Sequence, residues 1–448
     1  MKRWWLGILA LVTVCSVTPL GAAPAGVVEL SPVRASRALC VVGETVELLV
    51  SMDNQSGSLL SALTASVELP EGWQAEPTRI EVPGLAPYTK QAMRFVITAT
   101  EAGHGDGRIV VSGPGLPKSL VSAFPLVSCQ PLPVLSAWRQ LAQRSVGKIP
   151  DDDTLYVSTG AYVLFFPRCG DGYGPGLVYL RVGDEWRRMG TIPAMGRALY
   201  RDLKTVGGRE AGPSEHWVYP SRYWIFPSVP KTGDVLVLKD QWQDNKGRYW
   251  TAKAYFAPTA DPRVIKCTHM LWCTEAAALY RYEGPMASVG DGTFGHEHSG
   301  LQAPGDLPVP TPDPFLQRAT PLAEGLMGVQ SPLGGTLAMM WDTRQQWTTG
   351  RTFPQALIAA PNVLRHQDNT FMSLLVPAFE PGQRVSDALA AKPLDLPRGR
   401  FVYLRSELFV ATQGLSEAHT AYAERFGDKG PGRALLPDPD VRTGKPDW

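Results

Sequence analysis

Long stretches of this chain alternate between apolar and polar positions with a period of two. Val46, Leu48, Val50 and Met52 fall on one face, while Glu47 and Ser51 fall on the other. Leu63, Ala65, Val67 and Leu69 repeat the pattern against Thr64, Ser66 and Glu68, and Met93, Phe95 and Ile97 repeat it against Arg94 and Thr98. Successive side chains of a strand point to opposite faces, so each run predicts a strand with one buried face. Turn residues separate the runs at intervals of about ten positions, which predicts a β-sandwich of about seven strands over 24–130.

The segment 131–150 reads as a linker with one short helix, since Leu135, Trp138 and Leu141 stand at helical spacing. From 151 to 427 strand patterns dominate again. An aromatic and β-branched run covers 156–166. The runs 178–182 and 185–189 meet at Gly183-Asp184, and 234–243 turns at Asp244-Asn245-Lys246-Gly247 into 248–256, both hairpin signals. Further strands are expected at 277–282, 336–341, 372–376 and 401–412. One late helix is expected near 416–425, with Ser416 as its cap and Gly427 beyond its end. So much strand without a strand–helix–strand rhythm predicts an all-β chain, an N-terminal sandwich followed by a large antiparallel two-sheet assembly. The Pro- and Gly-rich stretch 428–448 reads as a flexible tail.

Composition sharpens this picture. The 44 glycines and 40 prolines among 448 residues supply turns and disfavour a helical bundle, while 44% hydrophobic residues are enough for a substantial core. With 43 basic and 42 acidic residues the net charge is +1, which gives no electrostatic footprint for nucleic acid. Met1-Lys2-Arg3, an apolar run from Trp4 to Leu20 and the small residues Gly21-Ala22-Ala23 make a three-part secretory signal over 1–23, the alternative being an N-terminal membrane anchor. The expectation is export to the periplasm or beyond, with no membrane span in the mature chain. Without Lys2 and Arg3 its net charge is −1, which suits a neutral or weakly charged partner.

Cys40, Cys129, Cys169, Cys267 and Cys273 remain after the signal, an odd set. Cys40 and Cys129 bracket the first β-rich block and are candidates for a bridge across its ends. Cys267 and Cys273 are candidates for closing a small loop. Buried thiols are the alternative for all of them.

Generic catalytic motifs fail. Gly170, Gly172, Gly174 and Gly176 alternate instead of forming a dinucleotide fingerprint, and neither a nucleophile elbow nor His-Glu-x-x-His occurs. On a strand, His296 and His298 project to one face, so they are candidate ligands for a divalent metal, the alternative being solvated histidines in a Gly-rich loop. Aromatic and polar residues concentrate twice. His216, Trp217, Tyr219, Arg222, Tyr223 and Trp224 form one set. Trp341, Asp342, Arg344 and Trp347, followed by Asn362, His366 and Asn369, form the other. Sugar rings stack their C–H faces on Trp and Tyr while Asp, Asn and Arg bond their hydroxyls, so both sets point to a carbohydrate cleft, with core packing the alternative for any single tryptophan.

Two resemblances follow from particular residues. Gly43-Glu44-Thr45-Val46, Asp53-Asn54-Gln55-Ser56-Gly57 and Val67-Glu68-Leu69-Pro70-Glu71-Gly72-Trp73 stand in order. Together they resemble the immunoglobulin-like accessory domain found beside catalytic domains in α-galactosidases and other bacterial carbohydrate enzymes. Tyr173-Gly174-Pro175-Gly176-Leu177-Val178-Tyr179, Trp341-Asp342-Thr343-Arg344-Gln345-Gln346-Trp347, Ala360-Pro361-Asn362 and Ser373-Leu374-Leu375-Val376-Pro377 resemble landmarks of galactose-mutarotase-like supersandwich domains. A Phe-Pro-Gly-Leu-Glu-Tyr turn of some members is absent, and Gly300-Leu301-Gln302-Ala303-Pro304 stands near its place. What these imply is an exported carbohydrate-binding or carbohydrate-processing protein, with a polysaccharide lyase or a mutarotase-like enzyme as the reactions to consider. His216, Arg222, Tyr223 and His366 are the candidate catalytic residues. Trp217, Trp224, Trp341, Asp342, Trp347, Asn362 and Asn369 are the candidate sugar-binding residues. The rival expectation is a non-catalytic secreted or periplasmic scaffold.

Overall fold

The alternating runs fold as strands whose apolar faces close on one another. A computed structural model describes residues 28–31, 33–35, 40–132, 138–150, 153–169, 171–192, 195–201, 205–206, 209–210, 214–227, 234–289, 325–330, 335–343, 345, 355–359, 370–376, 393–412 and 414–427. The expected signal at 1–23 and the tail at 428–448 lie outside these residues.

In the N-terminal sandwich one sheet runs Val28–Leu30, Thr45–Asn54, Thr89–Ala99, Trp73–Glu76, with Arg34–Ala35 also paired to Thr45–Asn54. The other runs Cys40–Val41, Leu120–Cys129, Gly103–Ser112, Leu60–Glu68, Arg79–Leu85. Between them Leu48, Val50, Phe95, Ile97, Ile109 and Val111 are fully buried, each stabilising the fold by roughly 1.5–3 kcal/mol on transfer from water. The sandwich has ten strands among the described residues where the sequence predicted about seven. The additional ones are edge pieces of two to four residues, too short to show a period.

Within the expected linker the described residues hold a 3-10 turn, Arg139–Ala142, followed by the strand Arg144–Lys148, which pairs into the eleven-stranded sheet. Leu141 is buried there and Leu135 lies outside the described residues.

Two large sheets, of eleven and seven strands among the described residues, follow, and a shared apolar core containing Leu164, Leu238, Trp250, Phe256, Tyr282 and Trp341 lies between them. The seven-stranded sheet is antiparallel in the order Arg222–Phe226, Val235–Gln243, Tyr249–Pro258, Val264–Cys273, Phe401–Ala411, Thr336–Met340, Leu326–Gln330. Both predicted hairpins are present, Gly176–Val182 with Glu185–Ile192 and Val235–Gln243 with Tyr249–Pro258. Gly183 turns the first at φ +64, a conformation that suits glycine. The run 156–166 divides into Leu155–Thr159 and Tyr162–Phe166 around Gly160.

Val264–Cys273, the middle strand, was not anticipated. Cys267 and Cys273 lie on its inner face six positions apart, roughly 20 Å along an extended strand. They are free thiols and cannot close the small loop expected of them. The helix Leu415–Phe426 covers the outer face of the sheet at its far end through Ala418, Ala421 and Tyr422. Its cap residue is Gly414, without a side-chain cap bond, and Ser416 lies inside the first turn. Gly427 closes the other end as expected, donating its N–H to the Tyr422 and Ala423 carbonyls. No helix among the described residues is long and apolar enough to cross a membrane.

Candidate functional site

Strand register decides which side chains meet on the outer face of the seven-stranded sheet. Pairing places Arg222 opposite Lys239, Lys239 opposite Lys253, Lys253 opposite Met270 and Met270 opposite Tyr403. The next row reads Trp224, Val237, Tyr255, Thr268, Arg405, and on the other side Thr251 pairs with Trp272 and Trp272 with Phe401. The result is a lane of three cations across adjacent strands, bordered by aromatic rings. Strand spacing puts its ends roughly 10 Å apart.

Like charges opposite one another on neighbouring strands are unfavourable. No carboxylate among the described residues pairs with Arg222, Lys239 or Lys253. Lys239 Nζ donates to Gln241 Oε1 at 3.2 Å, and Lys253 Nζ sits 5.6 Å from the centre of the Trp272 ring. Burial and the nearby Arg222 charge hold Lys239 below the ordinary lysine range, and burial with the Lys239 charge does the same to Lys253. In the second of these rows the Tyr255 hydroxyl is buried without a hydrogen-bond partner, and burial pushes its pKa up to about 12. Trp224 is 39% exposed at the sheet edge, with Phe226 beside it on the same face.

A second polar centre lies at the seam where the chain crosses between the sheets. Ser214–Trp217 is an edge strand of the eleven-stranded sheet and Arg222–Phe226 an edge strand of the seven-stranded one. His216 Nε2 lies 2.8 Å from Asp240 Oδ2, and the same oxygen accepts the Tyr219 N–H at 3.3 Å. The imidazole stacks on Trp242, centres 3.8 Å apart and planes 13° from parallel, and Trp242 stacks in turn over Trp250. The Trp242 indole N–H is buried without a partner. A histidine oriented by a carboxylate is suited to moving a proton.

The expected site residues separate among several environments. Tyr223 faces inward and meets Tyr173 edge-on at 5.3 Å, whereas Arg222 and Trp224 face outward from the same strand. Trp217 lies against the Arg197 guanidinium at 4.8 Å, and Arg197 forms two bonds of 2.9 and 2.7 Å to the fully buried Glu283, with Arg281 at 2.8 Å on the same carboxylate. Burial alone would raise the Glu283 pKa, but the two guanidiniums more than offset it and hold it below the usual carboxylate range. Trp341 is 2% exposed in the core between the sheets, so it packs and does not offer a face to sugar. Asp342 beside it is half-buried and its carbonyl accepts the Gln345 N–H. His366, Trp347, Asn362, Asn369, His296 and His298 lie outside the described residues. Among the described residues no three metal-ligating side chains converge.

Lys239, Lys253, Tyr255 and Trp272 were not anticipated as site residues. They stand on three strands far apart in sequence, and only register joins them to Arg222 and Trp224.

No family model matches the chain, and no curated protein is similar to it. Solved structures with some likeness include a CARDB domain from Pyrococcus furiosus, 15% identical, covering 24% of this chain and 96% of that one at a TM-score of 0.20. The PapD-like domain 7 of human CEP192 is 12% identical, covering 30% of this chain and 99% of that one at a TM-score of 0.18. A β-glucosidase from Erythrobacter marinus is 15% identical, covering 23% of this chain and 16% of that one at a TM-score of 0.16. Likeness at this level carries no inference about what the chain does.

Proposed function

We propose that this chain is an exported glycan-binding protein whose sugar site is the outer face of the seven-stranded sheet. The observation that carries the reading is the placement of Trp224 and Trp272 beside the lane Arg222, Lys239, Lys253. Aromatic faces suit the C–H faces of sugar rings. The cation lane favours sugars carrying carboxylate groups. That is a change from the neutral partner suggested by overall charge, because charge is distributed locally.

Titration calorimetry of the mature chain against neutral and uronate oligosaccharides tests this. Binding that weakens tenfold or more in Trp224→Ala and Trp272→Ala is expected. Equal affinity in wild type and both variants, or no binding across the panel, would overturn the reading and leave a scaffold role.

Carbohydrate processing is the second reading, favoured by His216 held against Asp240 at 2.8 Å. Turnover of a bound oligosaccharide that disappears in His216→Gln, with binding retained, is its expected signature. Binding without any product rejects it.

A further inference from the structure

The five cysteines of the described residues divide among separate apolar clusters, and two of them meet. Cys129 ends the strand Leu120–Cys129 of the N-terminal sandwich, and Cys169 lies in Arg168–Cys169 of the large assembly. These strands touch, and both cysteines are buried in one small core with Val127, Val163, Phe165 and Leu177. Gly174 lies so close to Cys169 that a Cβ there would come within 2.4 Å of its sulfur and 3.2 Å of Val127, so glycine leaves room for the Cys169 side chain beside Val127.

The partner suggested by sequence is excluded by register. Cys40 pairs with Ser128 in a parallel ladder, so Cys129 stands opposite Val41 and one position out of step. Cys40 turns into the N-terminal core, where its thiol donates to the Glu44 carbonyl at 3.2 Å and the Val41 carbonyl at 3.3 Å. Cys267 and Cys273 belong to the core between the large sheets.

We infer that Cys129 and Cys169 form a disulfide that ties the N-terminal sandwich to the large assembly when the chain folds in an oxidising compartment. The co-reactant is a disulfide-bearing oxidant, either a small molecule or a dithiol oxidase. One cysteine thiolate attacks the oxidant's S–S bond, forming a mixed disulfide and releasing one oxidant thiol. The second cysteine thiolate attacks the mixed disulfide, the Cys129–Cys169 bond forms, and the second oxidant thiol leaves. Two thiol protons are lost from the protein, and the electron pair ends on the oxidant's sulfurs. In the closed fold the neighbouring Cys129 thiol and burial push Cys169 well above the ordinary thiol range, which starves the reaction of thiolate.

The experiment refolds the full chain in a buffer of oxidised and reduced glutathione, alkylates it unfolded without reductant, and maps the peptides by mass. The expected result is a single cross-linked pair containing Cys129 and Cys169, with Cys40, Cys267 and Cys273 alkylated. Alkylated Cys129 and Cys169, or either one joined to Cys40, overturns the inference. Because this readout uses the wild-type chain, it does not depend on whether cysteine variants fold. Cys129→Ala and Cys169→Ala, where they fold, should each leave the other cysteine alkylated.

Discussion

Cys129 and Cys169 are buried side by side in one small apolar core at the junction between the two halves of the protein. Around them Trp138 meets Phe165 edge-on at 5.8 Å, and Phe165 meets Tyr179 at 5.6 Å. The junction is thus a third core in its own right, built from the outer face of one sheet of each half. A small core of this kind gains from a covalent tie between the halves it joins.

Oxidation of this pair should raise stability measurably. Closing the loop of about 40 residues between Cys129 and Cys169 restricts the unfolded chain by about 4 kcal/mol in the chain-entropy relation. Guanidinium unfolding of oxidised and reduced protein should show a higher midpoint for the oxidised form. Coincident midpoints would mean that no such constraint exists.

Trp341 and Trp224 should respond in opposite ways. Trp341 is 2% exposed and packed between the sheets, so Trp341→Ala should cost about 3–5 kcal/mol of stability by leaving a cavity. Trp224 is 39% exposed, so Trp224→Ala should cost less than about 1 kcal/mol yet weaken glycan binding. Denaturant unfolding and calorimetric titration of the same two variants separate packing from recognition.

These two tryptophans also show what sequence can and cannot reveal. The N-terminal sandwich was legible because runs such as Met93, Phe95 and Ile97 alternate with Arg94 and Thr98, and Val50 and Met52 flank the polar Ser51. Val264–Cys273 was not, because eight of its ten residues are buried and no alternation marks it. Sequence proximity misled at the site for the same geometric reason. Arg222, Tyr223 and Trp224 are adjacent, yet the strand sends Tyr223 inward and its neighbours outward. Lys239, Lys253 and Trp272 reach Arg222 and Trp224 only through the pairing of four strands, which no local pattern encodes.

The His216–Asp240 contact joins the edge strand Ser214–Trp217 of one large sheet to the strand Val235–Gln243 of the other, so it should act first on stability. His216 is partly exposed, with 27% of its side chain open to solvent, which limits the worth of the bond to about 1 kcal/mol. Asp240→Asn should lower the unfolding free energy by about that amount while leaving oligosaccharide affinity unchanged, since the outer face is on the other side of the sheet. A large loss of affinity in this variant would instead place the sugar at the seam.

Acid should destabilise the fold through His269. This side chain is 1% exposed, neither ring nitrogen has a hydrogen-bond partner, and burial lowers its pKa to about 4, the nearby Met195 backbone offsetting only part of the effect. The unfolded chain binds the proton near 6.5 and the folded chain does not until about 4. Stability is therefore greatest above pH 6.5 and falls as pH drops toward 4, by about 3 kcal/mol over the interval. His269→Phe removes the titrating group and should flatten this slope in unfolding free energies measured between pH 7 and 4. An unchanged slope would assign the acid sensitivity to other groups.

The cation lane makes the last prediction. An anionic sugar beside Lys239 and Lys253 favours their charged forms, so their pKa values should rise on binding. In the free protein both are held below the ordinary 10.5, by burial first and by neighbouring positive charge second. Binding should then take up protons wherever the free lysines have begun to lose theirs. Affinity for a uronate oligosaccharide should accordingly fall as pH rises toward 10.5, sooner than an unperturbed lysine would allow, while affinity for a neutral analogue stays flat across the same interval. Lys239→Gln and Lys253→Gln should each weaken uronate binding roughly fivefold, about 1 kcal/mol, and reduce its dependence on salt. Lys253→Gln should weaken it further than charge alone predicts, because Lys253 also lies over the Trp272 ring at 5.6 Å and positions that face for stacking. Identical salt dependence in wild type and both lysine variants would show that the lane does not contact the ligand's charge.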